Sequence, residues 1–357
     1  MTDDAFFEDD LDVQPDGEYS SDGEPQLYEH LRVEVDAGQE PLRIDKYLAI
    51  HTPHSSRSRI QQAADGGYLF VNDKPVKSNY KVRAGDVITL RLERPHFETT
   101  IVPEEMPLDV RYEDDSLMVV YKPAGLVVHP GCGNFHGTLV HAIAWHLRSL
   151  PYYDPNDPQV GLVHRIDKDT SGLLVVAKTP EAKSSLGKQF FNHQTHRSYV
   201  ALVWGNFVDD EGRIEGNIGR DPRDRLRMEV FPPGSETGKP AVTHYRVLER
   251  YGYTTLVECR LETGRTHQIR AHMRHIGHPL FADERYGGCE ILRGERTASY
   301  RAYVQNCFKL CPRQALHAQT LGFRHPLTGE QMDFTSPLPN DLQALVDKWR
   351  GRLRSAL

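Results

Sequence analysis

The sequence predicts an α+β protein. Its body is built on a mixed, mainly antiparallel sheet, and a small domain of two helices and a short sheet precedes it. Three observations predict this. Strand-like runs recur at short intervals from Leu108 to Leu261, which favours sequence-adjacent antiparallel pairing. Residues 41–92 carry their own helix, turn and strand signals. At 357 residues the chain is too long for one typical core, so two domains are expected.

The elements follow in order. Residues 1–30 hold eleven Asp or Glu and no Lys or Arg, with little to bury, and are expected to form a disordered acidic tail. The small domain is placed at residues 31–94. It opens with the alternating run Leu31–Val35. Leu42, Ile44, Tyr47, Leu48 and Ile50 are expected along one side of a short helix. Ser55 or Ser56 is the expected N-cap of a second helix carrying Arg57, Arg59 and Ile60, stopped by Gly66-Gly67. Strands at Tyr68–Val71, Pro75-Val76 and Val87–Leu92 follow, around the turns Asn72-Asp73 and Ala84-Gly85-Asp86.

Residues 95–107 read as a linker and residues 108–345 as the main body, with 346–357 as a C-terminal helix or tail. Within the body, strands are expected at 108–110, 117–121, 172–177, 198–204, 243–249 and 254–261. Helices are expected at 137–145, where the run is amphipathic, and at 264–275, where Ile269, Met273 and Ile276 keep helical spacing. Residues 289–313 read as a long linker, and Asp341–Leu357 as a helix.

The net charge of −7 misleads. Without the tail, 43 basic residues face 39 acidic ones, and the remainder carries +4. A polyanionic partner is therefore compatible with this chain. Residues 41–94 hold ten Lys or Arg, among them Arg57, Arg59, Lys77 and Lys81. Five scattered cysteines make no disulfide framework. With no run able to cross a bilayer and no signal-peptide pattern, a cytoplasmic protein is expected.

The segment His164–Gly172 concentrates the chemistry. Asp167 stands between Arg165 and Lys168, just before the apolar run Leu173–Ala177. Neighbouring cations hold such a carboxylate ionised. Ser171-Gly172 supplies tight backbone that a second segment can approach. Three other segments stand out: Tyr121–Gly131, Arg197–Gly205 and Glu262–His272. Arg265, His267 and their neighbours place donors at a helix N-terminus, which favours an anion. The histidine spacing there (267, 272, 275) does not fit a helical metal pair, and no metal is expected.

The four segments, in this order, resemble the RluA-type pseudouridine synthases, most closely the RluD-like enzymes of large-subunit ribosomal RNA. His164-Arg165-Ile166-Asp167 with Thr170-Ser171-Gly172 matches the family signature, with Ile166 where Leu is commoner. Thr263-Gly264-Arg265 through Arg270, and Leu316-His317-Ala318 through Pro326, also match. The basic segment resembles an S4 RNA-binding domain through Arg43–Leu48, Ser56–Ile60, Val71–Val76 and Ala84–Asp86.

These resemblances imply a cofactor-free isomerase acting as a monomer on RNA, its target large-subunit ribosomal RNA or the precursor. They imply Asp167, Tyr199 and Arg270 as catalytic residues. They imply Arg165 as a filler of the space that a flipped nucleotide vacates. Arg57, Arg59, Lys77, Lys81, Arg265 and His267 are the expected RNA contacts. Two other readings share some of these features. A nucleosidase or glycoside hydrolase would need a second carboxylate, for which Glu262 is the candidate. A non-catalytic ribosome-assembly factor would need no such set.

Overall fold

The computed structural model describes residues 27–52, 57–92, 101–131, 134–224 and 226–356. The expected acidic tail before Leu27, the N-cap serines Ser55 and Ser56, Cys132 and the side chain of Arg59 lie outside them. The chain divides near residue 100 into two compact units.

The first unit is a four-stranded sheet with two helices. Strands β1 (Tyr28–Glu34), β2 (Leu69–Val71), β3 (Lys74–Pro75) and β4 (Val87–Leu92) lie in the order β1-β4-β2-β3. β1 starts at Tyr28, inside the segment expected to be tail. Helices α1 (Ile44–His51) and α2 (Arg57–Asp65) pack Ile44, Tyr47, Leu48, Ile60 and Ala64 against Leu69, Val71 and Ile88. Ile50, expected on the buried side of α1, is 71% exposed. The face set by positions 44, 47 and 48 takes Asp45 inside instead. Asn72 and Asp73 both have positive φ and close the β2–β3 hairpin.

The second unit is one ten-stranded sheet covered on both faces. Its strands are β5 (Asp109–Glu113), β6 (Leu117–Lys122), β7 (Ser171–Ala177), β8 (His196–Trp204), β9 (Glu211–Arg220), β10 (Met228–Phe231), β11 (Lys239–Arg250), β12 (Thr254–Leu261), β13 (Leu316–Arg324) and β14 (Gln331–Thr335). Their order is β10-β9-β11-β12-β8-β13-β7-β6-β5, with β14 on β13. All pairings are antiparallel except β13 with β7.

Alternation along the strands assigns the layers. Ala201 and Val203 of β8, with Leu174 and Val176 of β7, face α3 (Leu139–Leu147) and α5 (Gln268–His275). Val200, Leu202 and Trp204 face α6 (Ala298–Leu310) and α7 (Asn340–Ala356). Leu173 and Val175 face α4 (Pro180–Phe191). Covering on both sides explains why every residue of β7 is buried.

Three helical expectations change. α3 is buried almost all round rather than amphipathic. The segment expected to be a linker contains α6, with Tyr300, Val304 and Cys307 in the core. α7 starts at Asn340 and buries Leu342, Leu345, Val346 and Trp349, so it belongs to the body rather than forming an appended tail. Trp349 meets Trp204 edge-on at 6.3 Å, a geometry worth about 0.5–1.5 kcal/mol beyond burial.

Candidate active site

The site forms where the sheet forks. β13 pairs with β7 only at His317–Ser171 and Ala318–Gly172, then takes β14 as its partner from Thr320 onward. The strands approach this closely because residue 172 is glycine. A Cβ there would stand 2.2 Å from the Ala318 carbonyl oxygen, and its φ is +130°. Across β13, Ala318 also opposes Tyr199 of β8, beside a register shift. Tyr199 is thereby brought near the loop that feeds β7, which carries Asp167.

The loop is pinned from below. Ile166 is buried in the core. The Lys122 ammonium, itself fully buried, donates to the carbonyls of Lys168 (2.7 Å), Leu126 (2.7 Å) and Pro123 (2.9 Å). Burial pulls the Lys122 pKa down to about 7, against the opposing pull of Asp167 and Asp169. Arg313 donates to the Asp169 carbonyl at 2.9 Å and is gripped by Asp341. Ser171 Oγ meets His317 at 3.0 Å.

Against this loop lies α5. Arg270 donates through Nη1 to Asp167 at 3.0 Å, and through Nε and Nη2 to Asp283 at 2.7 and 3.0 Å. The Arg270 side chain is 7% exposed, that of Asp283 is fully enclosed, and that of Asp167 is 23% exposed. One carboxylate is thus sealed away and the other opens outward. Burial alone raises the Asp167 pKa, but His267, Arg270 and Arg165 outweigh it and hold the group below its ordinary value. Burial pulls the His267 imidazole down to about 4, so it is neutral at pH 7. Its Nδ1 meets the Tyr286 hydroxyl at 3.0 Å, and that hydroxyl accepts from the Met228 amide at 2.8 Å. Tyr199 is buried, and burial and the Asp167 charge raise its pKa, against Arg197. It stays protonated at neutral pH.

Of the expected site residues, the structure brings together Asp167, Tyr199, Arg270, Arg165 and His267. Arg165 is exposed and its charge acts on Asp167. Arg265 is half-buried, with its Nε on the Pro240 carbonyl at 3.2 Å. The expected helix 264–275 begins only at Gln268. The Gln268 side chain receives the Thr263 hydroxyl and the Arg265 amide, so the turn spends those donors internally. Glu262, the second carboxylate a hydrolase would need, is exposed and paired with His244 at 2.5 Å.

In the first unit, Arg57 is tied to the buried Asp45 at 3.0 Å, whereas Lys77 and Lys81 are exposed. Elsewhere, Glu104, His136 and His141 bring ligand-type atoms within 4.8 Å of one another. His141 Nδ1 accepts the Thr138 amide at 3.2 Å, which leaves its proton on the Nε2 that faces Glu104. The trio is therefore set for hydrogen bonding rather than ligation.

Sequence reasoning missed Asp283, Tyr286 and Arg313, and it assigned no role to Lys122 within the segment Tyr121–Gly131. For Asp283 a signal existed: the cation-rich helix needs a carboxylate that its own sequence lacks.

Comparison with known proteins fits this geometry. Residues 116–275 match the RNA pseudouridylate synthase family and residues 42–88 the S4 domain. An uncharacterized RNA pseudouridine synthase of Chlorobaculum parvum is 44% identical over 90% of this chain and 98% of its own length. Ribosomal large subunit pseudouridine synthase D of Neisseria meningitidis is 43% identical over 96% of this chain and 88% of its own. The solved structure of Human RNA Pseudouridylate Synthase Domain Containing 4 shares the fold, with a TM-score of 0.54 at 23% identity over 68% of this chain and 93% of that one. With an S4 domain ahead of a body so closely related over nearly its whole length, the chain belongs to the RNA pseudouridine synthases, enzymes that isomerise uridine to pseudouridine in RNA.

Proposed function

We propose that the chain isomerises specific uridines of large-subunit ribosomal RNA, with Asp167 as the catalytic carboxylate. Arg270 is its electrostatic partner and Tyr199 faces the base. The choice of RNA rests on relatives such as the Neisseria meningitidis protein, whose name gives that target. One observation carries the choice of residues: Arg270 gives two hydrogen bonds to Asp283 and one to Asp167.

The three charges sum to −1, so Arg270 orients Asp167 without cancelling it. His267, neutral at pH 7, does not cancel it either. Breaking the N-glycosidic bond of uridine builds positive charge on the sugar, which an ionised carboxylate stabilises. The detached uracil must turn and rejoin through carbon before it escapes. The Tyr199 ring offers it a flat surface, and the protonated hydroxyl a donor. The target must leave its stack to reach this depth, and Arg165, exposed beside Asp167, fills the space it leaves.

Arg265 and His267 meet the RNA near the site, and Arg59, Lys77 and Lys81 of the S4 domain contact its phosphates, whereas Arg57 is engaged by the buried Asp45. Every role is filled by a side chain, so the scheme includes no cofactor. The enzyme acts as a monomer in the cytoplasm.

Asp167→Asn tests the scheme. It lowers pseudouridine formation by at least about 10⁴-fold while RNA binding survives. Full product by primer extension with the variant would sink the assignment. Pseudouridine mapping in large-subunit RNA from a deletion strain locates the target uridines. A map with no position lost would remove large-subunit ribosomal RNA as the substrate.

A further inference from the structure

Arg197 lies at the start of β8, two residues before Tyr199 and on the same side of the strand, about 6.7 Å along it. Its Nε is enclosed and makes no hydrogen bond among the described residues. No carboxylate among them pairs with the guanidinium, which instead lies over the Phe190 ring at 5.2 Å. A half-buried guanidinium whose enclosed Nε has no partner is costly to a fold, so its retention points to an anion that completes the site.

The surroundings have the same sign. His193, in the turn before β8, lies within electrostatic reach both of Arg197 and of Arg265, which stands in the turn before α5. Glu262, the carboxylate near this group, is engaged by His244. Residue 264 is glycine, and a Cβ there would come within 3.0 Å of Arg197 Nη1. The glycine therefore leaves the guanidinium open against the turn. Three elements bring cationic or cation-forming groups together beside the residue that faces the base.

We propose that Arg197, with His193 and Arg265 beside it, binds the RNA phosphate adjoining the target uridine. A phosphodiester supplies the missing charge and two oxygens that fit a guanidinium fork, whereas a uracil carbonyl supplies no charge. The inference rests on the uridine-isomerase reading of the site.

The probe is a synthetic stem-loop carrying the mapped uridine, with an uncharged methylphosphonate replacing the phosphate on its 5′ or 3′ side. For the wild-type enzyme, one of the two substitutions weakens binding about 10- to 100-fold. Arg197→Met weakens binding of the unmodified stem-loop comparably and loses little more when that methylphosphonate is present. Its salt slope falls by about 0.7–0.9, one phosphate contact. Arg197→Lys recovers part of the affinity. Wild-type binding indifferent to both methylphosphonates overturns the proposal without reference to any variant. So do losses that multiply between Arg197→Met and the methylphosphonate. If the wild-type enzyme makes no pseudouridine in the unmodified stem-loop, the isomerase reading itself falls. Active enzyme indifferent to both methylphosphonates removes only the role of Arg197.

Discussion

Both units bury a carboxylate among arginines, and they treat it in opposite ways. In the first unit Asp45 is fully enclosed and receives two hydrogen bonds from Arg43, one from Arg57 and one from Gln61. In the second, Asp167 receives one side-chain bond among the described residues, from Arg270, and keeps 23% of its side chain exposed. Asp45 has spent its acceptor capacity on the fold. Asp167 is left short of donors because Asp283 takes two of those that Arg270 offers. A carboxylate held ionised yet undersaturated has lone pairs free for a substrate. Saturation, rather than charge or burial alone, separates the structural acid from the one proposed to do chemistry.

Removing Asp283 should collapse this difference. In Asp283→Asn the facing amide no longer holds the Arg270 fork, and Arg270 is free to close on Asp167 with two bonds. Asp167 then moves toward the state of Asp45, which receives four side-chain bonds. The expected result is a kcat about 10²- to 10³-fold lower, the range seen when one preorganised electrostatic partner is lost, with KM for RNA little changed. Because Arg270 now favours the ionised form of Asp167 more strongly, the acidic limb of the pH–rate profile moves to lower pH. A merely structural Asp283 would lower activity through unfolding and leave that limb in place.

The opposite substitution tests the saturated acid. Asp45→Asn should cost about 2–3 kcal/mol in the first unit, because Arg43 and Arg57 lose a buried partner but can turn to solvent. Amide hydrogen exchange of α1 and β4 in the full chain reads this directly. The pH dependence follows from the direction of the shift. Burial raises the Asp45 pKa, but Arg43, Gln61 and Arg57 outweigh it and hold the group well below the usual carboxylate range. Its contribution is therefore complete above the unfolded value near 4 and is lost as pH falls through the lower folded value. The gap between wild type and Asp45→Asn should be constant from pH 7 to about 5 and narrow in stronger acid. A gap that widens on acidification would show that Asp45 is not the saturated ion described here.

How much of this could be seen in the chain depends on what each residue answers to. Asp167 was legible because its neighbours in sequence form a dense motif, and Gly172 because a close approach demands glycine. The α6 segment carried a readable period at Tyr300, Val304, Cys307 and Cys311, all of which are buried. Asp283 was harder, since its partner lies on a different element and is met only after the chain turns back. Arg313 left no pattern, and Lys122 no more than its place in the segment Tyr121–Gly131, because both bind backbone carbonyls, which every residue offers. Ile50 failed because the helical face was drawn too wide by one position, and the place inside went to Asp45. Its ionic partners there include Arg57, from another helix.

That exchange alters the expected RNA contacts of the S4 domain, where the smallest effects lie. By sequence, Arg57, Lys77 and Lys81 form one basic class. In the structure Arg57 is half-exposed and bound to Asp45, while Lys77 and Lys81 are exposed and make no ion pair among the described residues. An exposed lysine that meets a phosphate contributes affinity that salt removes. Lys77→Gln and Lys81→Gln should each weaken RNA binding about 3- to 5-fold and lower the salt slope by up to about 0.9, with hydrogen exchange unchanged. Arg57→Gln should instead leave the slope nearly intact and lower protection of α1 by about 1 kcal/mol, one charge-assisted bond with a half-exposed donor. Equal slope changes for all three residues would return Arg57 to the RNA surface. The saturation of Asp45 would then be partly on loan to the RNA.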